Sequence, residues 1–216
     1  MKVNYIILTP KKQDVLTETN DSVKLILTKD DKMNIVEHDE WEEVKALNEY
    51  VKTLIGFTHV CIVPNGSVIS EVTNTVIKKY VKDDNTVYLP LVSYLVPVPG
   101  SEPVDYDLKG VLNSCIWKPY LAHKVGILNQ ELSLRQIDTT LYGAFIPLTL
   151  LQKYTFKEDI KYFSFFEFLN RITYKKENVV GIPKLGFHLK KDYELKGVDN
   201  KEKVVYFKKA QESYKD

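Results

Sequence analysis

Apolar residues in this chain fall alternately in short unbroken runs and at helical spacing. Val3 to Thr9 is a compact apolar run that stops at Pro10, which reads as a buried first strand ending where proline removes a ladder donor. Ser22 to Thr28 (SVKLILT) reads as a second strand, closed by the polar turn Lys29-Asp30-Asp31. Trp41, Val44, Leu47, Val51 and Leu54 then repeat at helical spacing; Asp39 with Glu42 three residues on forms a capping box, and Gly56 closes the helix. Thr58 to Val63 (THVCIV) predicts a third buried strand running into the turn Pro64-Asn65-Gly66-Ser67, where Gly66 supplies a positive φ. Ile69, Val72, Val76, Ile77 and Tyr80 mark another amphipathic helix, and Thr86 to Val96 returns to strand.

Strand and helix in alternation predict an α/β domain with a mainly parallel central sheet flanked by helices on both faces. Ligands of such sheets sit at the carboxyl ends of the strands. The turns that matter are therefore Thr9-Pro10, Lys29-Asp30-Asp31 and Pro64-Asn65-Gly66-Ser67. The second half is less regular. Pro97 to Asp107 reads as a proline-rich loop, Gly110 to Trp117 as a strand, and Lys118 to Gly126 as a short helix. Thr140 to Pro147 follows as a strand, Leu148 to Lys153 as a helical turn, Phe163 to Tyr174 as a helix and Val179 to Pro183 as a last strand. One domain over residues 1–190 is predicted, followed by a charged tail at 191–216 that packs loosely or carries one terminal helix.

Charge narrows the partners. Lys+Arg at 30 against Asp+Glu at 29 leaves a net charge of +1, so no global field draws this protein to nucleic acid or anionic lipid. The only arginines are Arg135 and Arg171, which argues against sequence-specific base reading by guanidinium forks. Cys61 and Cys115 form neither a zinc-binding spacing nor a disulfide framework, and read as two buried thiols. No run approaches a membrane span, and Tyr5 to Leu8 is too short for a signal-peptide core. The expectation is a cytoplasmic protein, or one of a virus particle, since a skew toward Lys, Asn, Ile and Tyr fits an A+T-rich viral or low-GC bacterial genome.

Four stretches resemble the family 2 branch of the GT-A glycosyltransferases: YIILTP at 5–10, LILTKDD at 25–31, HVCIVPNGSVIS at 59–70, and Gly143 to Arg171. The resemblance implies a nucleoside diphosphate sugar as ligand. It casts Asp30 and Asp31 as contacts to the nucleotide base, with Thr9 and Pro10 at the end of the first strand. The family's Asp-x-Asp, which holds a divalent metal on the sugar diphosphate, falls on Pro64-Asn65-Gly66-Ser67, so Asn65 and Ser67 stand where the carboxylates would be. Mg²⁺ and Mn²⁺ prefer anionic oxygen, which disfavours both ions here, and no metal ligand is assigned. Anchoring the acceptor segment on Arg171 puts the family's acidic pair at Ser164-Phe165, with Glu167 two positions later as the candidate base and Asp159, of the early pair Glu158-Asp159, as the reserve.

Each candidate also has a structural reading. Glu167 among phenylalanines suits a raised pKa, yet it also stands at i, i+4 to Arg171 as a simple ion pair. Asp138, in the polar cluster Arg135 to Gly143, suits a sugar or diphosphate contact or a capped turn. His188 reads as a metal ligand only with a carboxylate partner; Lys11 and Lys12 read as point charges for a diphosphate or as solvated lysines; Trp117 and Tyr120 read as stacking platforms or core. Two functions follow: a glycosyltransferase-like protein that binds a nucleoside diphosphate sugar with weak or lost transfer, or a non-catalytic assembly protein built on the same fold with protein partners.

Overall fold

The computed structural model describes residues 1–97, 106–109, 141–190 and 199–213. Strands β1 (Val3–Pro10) and β3 (His59–Pro64) are buried along almost their whole length. Both are covered on two faces, which is why they appear in sequence as largely apolar runs, with Asn4 and His59 as buried polar exceptions. β2 (Lys32–His38) and β3 flank β1 in parallel. The sheet continues through β7 (Phe145–Pro147), β5 (Val87–Pro97), β8 (Val179–Lys190) and β4 (Ser67–Ile69), giving eight strands in the order β2-β1-β3-β7-β5-β8-β4, with β6 (Tyr106–Lys109) added on β5. The long registers, β2 with β1, β1 with β3 and β5 with β8, are parallel; the antiparallel pairings of β7, β4 and β6 are short.

Six helices lie among the described residues: α1 (Thr17–Ile26), α2 (Glu43–Thr53), α3 (Thr73–Tyr80), α4 (Leu148–Lys153), α5 (Ser164–Tyr174) and α6 (Asn200–Glu212). The main core joins β1, β3, β5 and β7 to the inner faces of α1 to α5. A second, smaller cluster unites Ile160, Tyr162, Phe163 and Phe166 with Phe207 and Ala210 of α6. Residues expected as a charged tail thus supply a packed helix. No helix among the described residues is long and apolar enough to cross a membrane.

Several sequence expectations are corrected. Ser22 to Thr28 is not a strand: Thr17–Ile26 is helical and buries Thr19, Val23 and Ile26, a 4-then-3 spacing that tertiary packing favours over the extended form. Leu25, which an extended reading would put on the same face as Val23, is 67% exposed. The second strand is instead Lys32–His38, an edge strand with one buried residue, Val36, so its pattern is too polar to announce itself. Asp39 and Glu42 form no capping box, since α2 begins at Glu43 without a side-chain cap. Finally, Ser67–Ile69 leaves the predicted helix to pair with β8, and α3 starts at Thr73.

Pro97 to Asp107 is also not wholly a loop: β5 runs to Pro97 and Tyr106 begins β6. The readings of Gly110 to Gly126, of Asp138, and of Cys115, Trp117 and Tyr120 lie outside the described residues. Gly66 does take a positive φ, 91°. Gly143, at φ +71°, lets the chain entering β7 pass close to β8: a Cβ there would sit 2.4 Å from the Phe187 ring.

Candidate functional site at the carboxyl ends of the strands

Thr9 and Asn65 end β1 and the turn after β3, and a single amide joins them. Asn65 Nδ2 donates to Thr9 Oγ1 at 3.1 Å and to the Asp14 carbonyl at 3.0 Å, while its Oδ1 accepts from the Leu16 amide at 2.9 Å. The Asn65 amide N–H donates to the Leu8 carbonyl at 2.8 Å. Next to it, the Gly66 N–H donates to Thr19 Oγ1 at 2.9 Å, and Ser67, fully buried, donates its hydroxyl to the Pro64 carbonyl. The structure therefore brings Thr9, Pro10, Asn65 and Ser67 together, with the loop at 11–16 stapled over them. Both ends of the Asn65 amide are engaged by the chain, so the oxygen that would face a cation already accepts a backbone proton. Among the described residues no group of three or more His, Cys, Asp or Glu side chains is placed to hold a metal ion.

Asp30 and Asp31 lie elsewhere. Asp31 Oδ1 accepts the Val3 amide at 2.8 Å, and Oδ2 accepts the amide and hydroxyl of Thr28 at 3.0 and 2.8 Å. That fixes the turn between α1 and β2 to the amino end of β1, about 23 Å along the strand from Thr9-Pro10 at the usual rise of about 3.3 Å per residue. Both aspartates line a cavity of about 530 Å³ with Val3, Tyr5, Ile77 and Lys78. Their placement follows from the misread segment: once Thr17–Ile26 is a helix, the turn after it must return to the amino end of the sheet.

The carboxyl end of β2 is formed by Glu37 and His38, with Asp39, read in sequence as a helix start, just beyond. The signal was present as the polar run Glu37-His38-Asp39-Glu40 after an apolar pair. Lys11 Nζ meets Asp39 Oδ2 at 2.6 Å, and the Lys11 amide donates to the His38 carbonyl at 2.8 Å, so the loop after β1 is tied to the end of β2. This pairing raises the Lys11 ammonium and lowers the Asp39 carboxyl relative to their ordinary ranges, chiefly through their mutual hydrogen bond. Trp41 follows in the left-handed region, φ 64°, a conformation that a bulky residue holds only where its surroundings impose it. Its indole packs edge-on against Tyr162 at 5.0 Å. Glu43, half-buried at the start of α2, has its carboxyl pushed up by burial.

The segment carrying the candidate base is reached through these contacts. Glu167 is fully buried, and Arg171 one turn on grips both its oxygens, Nε to Oε1 at 2.9 Å and Nη2 to Oε2 at 3.1 Å. Arg171 Nη2 also donates to the Thr155 carbonyl at 2.8 Å, and Lys157 Nζ stands 3.6 Å from Glu167 Oε1. Burial raises the Glu167 pKa, opposed by Arg171 and Lys157. The pair fastens α5 to the preceding turn, which is the i, i+4 reading in three dimensions. Ser164 donates to the Lys157 carbonyl at 2.9 Å and to that of Ile160. Asp159 is solvent-facing, its carboxylate 2.6 Å from Lys209 Nζ and held below the usual range chiefly by that hydrogen bond. His188 lies on β8 opposite Val68 of β4, and burial lowers its pKa.

No protein-family model matches this sequence, and no curated protein sequence does. Solved structures do match. S. aureus TarS residues 1–349 aligns with a TM-score of 0.54 at 16% identity, covering 88% of this chain and 60% of that one. The same region in complex with UDP gives 0.54 at 14% identity over the same shares, and a longer TarS structure gives 0.55 at 13% over 97% of this chain and 43% of that one. The chain thus spans three-fifths or less of the TarS chains it matches. At this identity the likeness is one of architecture alone, a mixed α/β domain of GT-A-like, Rossmann-type build.

Proposed function

We propose that this protein binds a nucleoside diphosphate sugar in the crevice at the carboxyl ends of β1, β2 and β3, and does so without a carboxylate-held metal. The observation that carries this reading is the state of Asn65: at the position of the resembled family's metal-binding acids stands a neutral amide whose oxygen and nitrogen are committed to Leu16, Thr9 and Asp14. The complex of TarS with UDP supports the ligand class. In this reading the base-contacting role passes from Asp30 and Asp31 to Glu37 and Asp39 at the true end of β2. Lys11 and Lys12 meet the diphosphate as point charges, and Asp138 is retained as a sugar contact.

Transfer chemistry, in this reading, falls to the turn before α5. Glu167 is a positioning residue in this scheme, because its oxygens serve Arg171. Asp159 is the carboxylate left to take a proton from an acceptor hydroxyl. The test is thermal stabilisation by UDP, GDP and their sugars with and without Mn²⁺. A ligand at 100 times its Kd stabilises by about 2.7 kcal/mol through mass action. The expected result is a shift with one nucleotide sugar that Mn²⁺ leaves unchanged; a shift that appears only with Mn²⁺ refutes the metal-free site.

A second reading, a non-catalytic assembly module on the same fold, draws support from the bidentate capture of Glu167 and the docking of α6 beside Asp159. It predicts no shift with any nucleotide.

A further inference from the structure

Helix α6 lies across the turn at 157–163 and the start of α5. Phe207 is the buried aromatic anchor of α6, its ring 5.2 Å from that of Phe163 and 5.6 Å from that of Phe166, with Ala210 buried beside it and the half-buried Tyr206 edge-on to Tyr162. Around this anchor the contacts are polar and near solvent. Lys209 Nζ meets Asp159 Oδ2 at 2.6 Å and donates to the Asp159 carbonyl at 3.1 Å; Lys157 Nζ donates to the Ser213 carbonyl at 2.7 Å; the Tyr162 hydroxyl donates to Glu202 at 3.0 Å.

The two helices that meet here are unequally secured. α5 buries every residue from Ser164 to Ile172. α6 turns Val205 outward at 62% exposure, and exposed ion pairs of the Lys209–Asp159 kind contribute little. A helix of 13 residues is marginal in water without packing, so α6 depends on Phe207 and its immediate neighbours. Segments with few buried apolar contacts open before the core does.

We propose that α6 is a strap that opens separately from the core, uncovering the turn at 157–163 and releasing the Asp159 carboxylate from Lys209. The consequence for chemistry rests on the reading of Asp159 as the available base; the opening itself does not. Trp41 is a built-in reporter, since it packs on the cluster that α6 covers and touches Tyr162, whose ring also meets Tyr206 of α6 at 5.4 Å.

Hydrogen exchange on the full chain, read by mass spectrometry, decides the matter. Residues 200–212 are expected to exchange at least tenfold faster than 164–174. Phe207→Ala should raise α6 exchange by about a further 10- to 100-fold, the loss of one buried aromatic anchor at tenfold per 1.4 kcal/mol. In a Trp117→Phe background, which leaves Trp41 as the sole tryptophan, the same change should shift emission to the red. One common exchange rate for α5 and α6 in the unaltered chain overturns the strap, whether or not any variant folds. None of these readouts involves a nucleotide, so the strap and the nucleotide-binding reading fail or survive independently.

Discussion

Asn48 in α2 reproduces a backbone bridge to Phe156, 108 positions later: its Nδ2 donates to the Phe156 carbonyl at 2.9 Å and its Oδ1 accepts the Phe156 amide at 3.0 Å. The same Nδ2 reaches Glu158 Oε1 at 2.9 Å. One buried side chain thereby fixes the turn that leads to α5 against the helix beside β2. Without it, two buried backbone groups lose their partners.

Asn48→Ala should therefore lower unfolding stability by roughly 2–4 kcal/mol, the penalty of leaving two buried polar groups unsatisfied. Asn48→Asp keeps the acceptor for the Phe156 amide but sets a carboxylate against a carbonyl and Glu158, and should be at least as damaging. Urea unfolding followed by circular dichroism measures both.

The Glu167–Arg171 pair predicts a non-additive series. Arg171→Met strands a buried carboxylate and should lower stability by about 3–5 kcal/mol, whereas the double change Glu167→Leu with Arg171→Met should recover most of that loss, since replacing both ions by apolar groups is often neutral. Equal losses in the single and double variants would show that the charge is not what holds the turn.

Asn65→Asp tests the reading of the β3 turn. A carboxylate cannot donate to Thr9 Oγ1 or to the Asp14 carbonyl, so the loop at 11–16 loses two bonds and the variant should be less stable by about 1–3 kcal/mol. Isothermal titration should find no gain in Mn²⁺ affinity, because a second anionic ligand is missing from the turn. Tight Mn²⁺ binding by this variant would restore the metal-dependent scheme.

His59 gives the protein a pH dependence with a definite sign. Its ring is buried, Nδ1 lies 3.0 Å from Thr58 Oγ1 and 3.9 Å from Asp84, and Nε2 has no partner among the described residues. Burial depresses its pKa, with Asp84 and Asp83 opposing and the N-terminal amine assisting. Below about 6.5 the unfolded chain binds a proton that the folded chain refuses, so stability falls as pH drops from 7 toward 5, by at most about 1.4 kcal/mol per unit for one such group. His188, depressed in the same direction by burial, adds to the slope. Urea unfolding at pH 5.5, 6.5 and 7.5 should show this decline, and His59→Gln with His188→Gln should flatten it.

The parts of the fold that were legible in sequence are those where one local pattern decides. β1 and β3 are apolar along most of their length because both faces are covered, and α5 shows its Glu167–Arg171 spacing directly. α1 was misread because β-branched and leucine residues at 22–28 satisfy two periods at once, and only packing of Thr19, Val23 and Ile26 chooses between them. β2 escaped because an edge strand needs few apolar positions, and that error carried Asp30 and Asp31 to the opposite end of the sheet. Asn65 was legible as a turn residue after β3. Its role as a staple depends on the Thr9 hydroxyl, the Asp14 carbonyl and the Leu16 amide, groups that only the fold brings together.

The late arrival of β7 has a consequence for synthesis of the chain. β2, β1 and β3 are complete once Pro64 has left the ribosome, but the strand that covers the far side of β3 begins only at Phe145. Throughout that interval the nascent protein carries a largely apolar strand with a row of unpaired amides and carbonyls on one side, a template for misassociation between neighbouring polypeptides. Slow elongation between residues 65 and 144 should therefore promote aggregation, and a chaperone that shields β3 should matter most in that window.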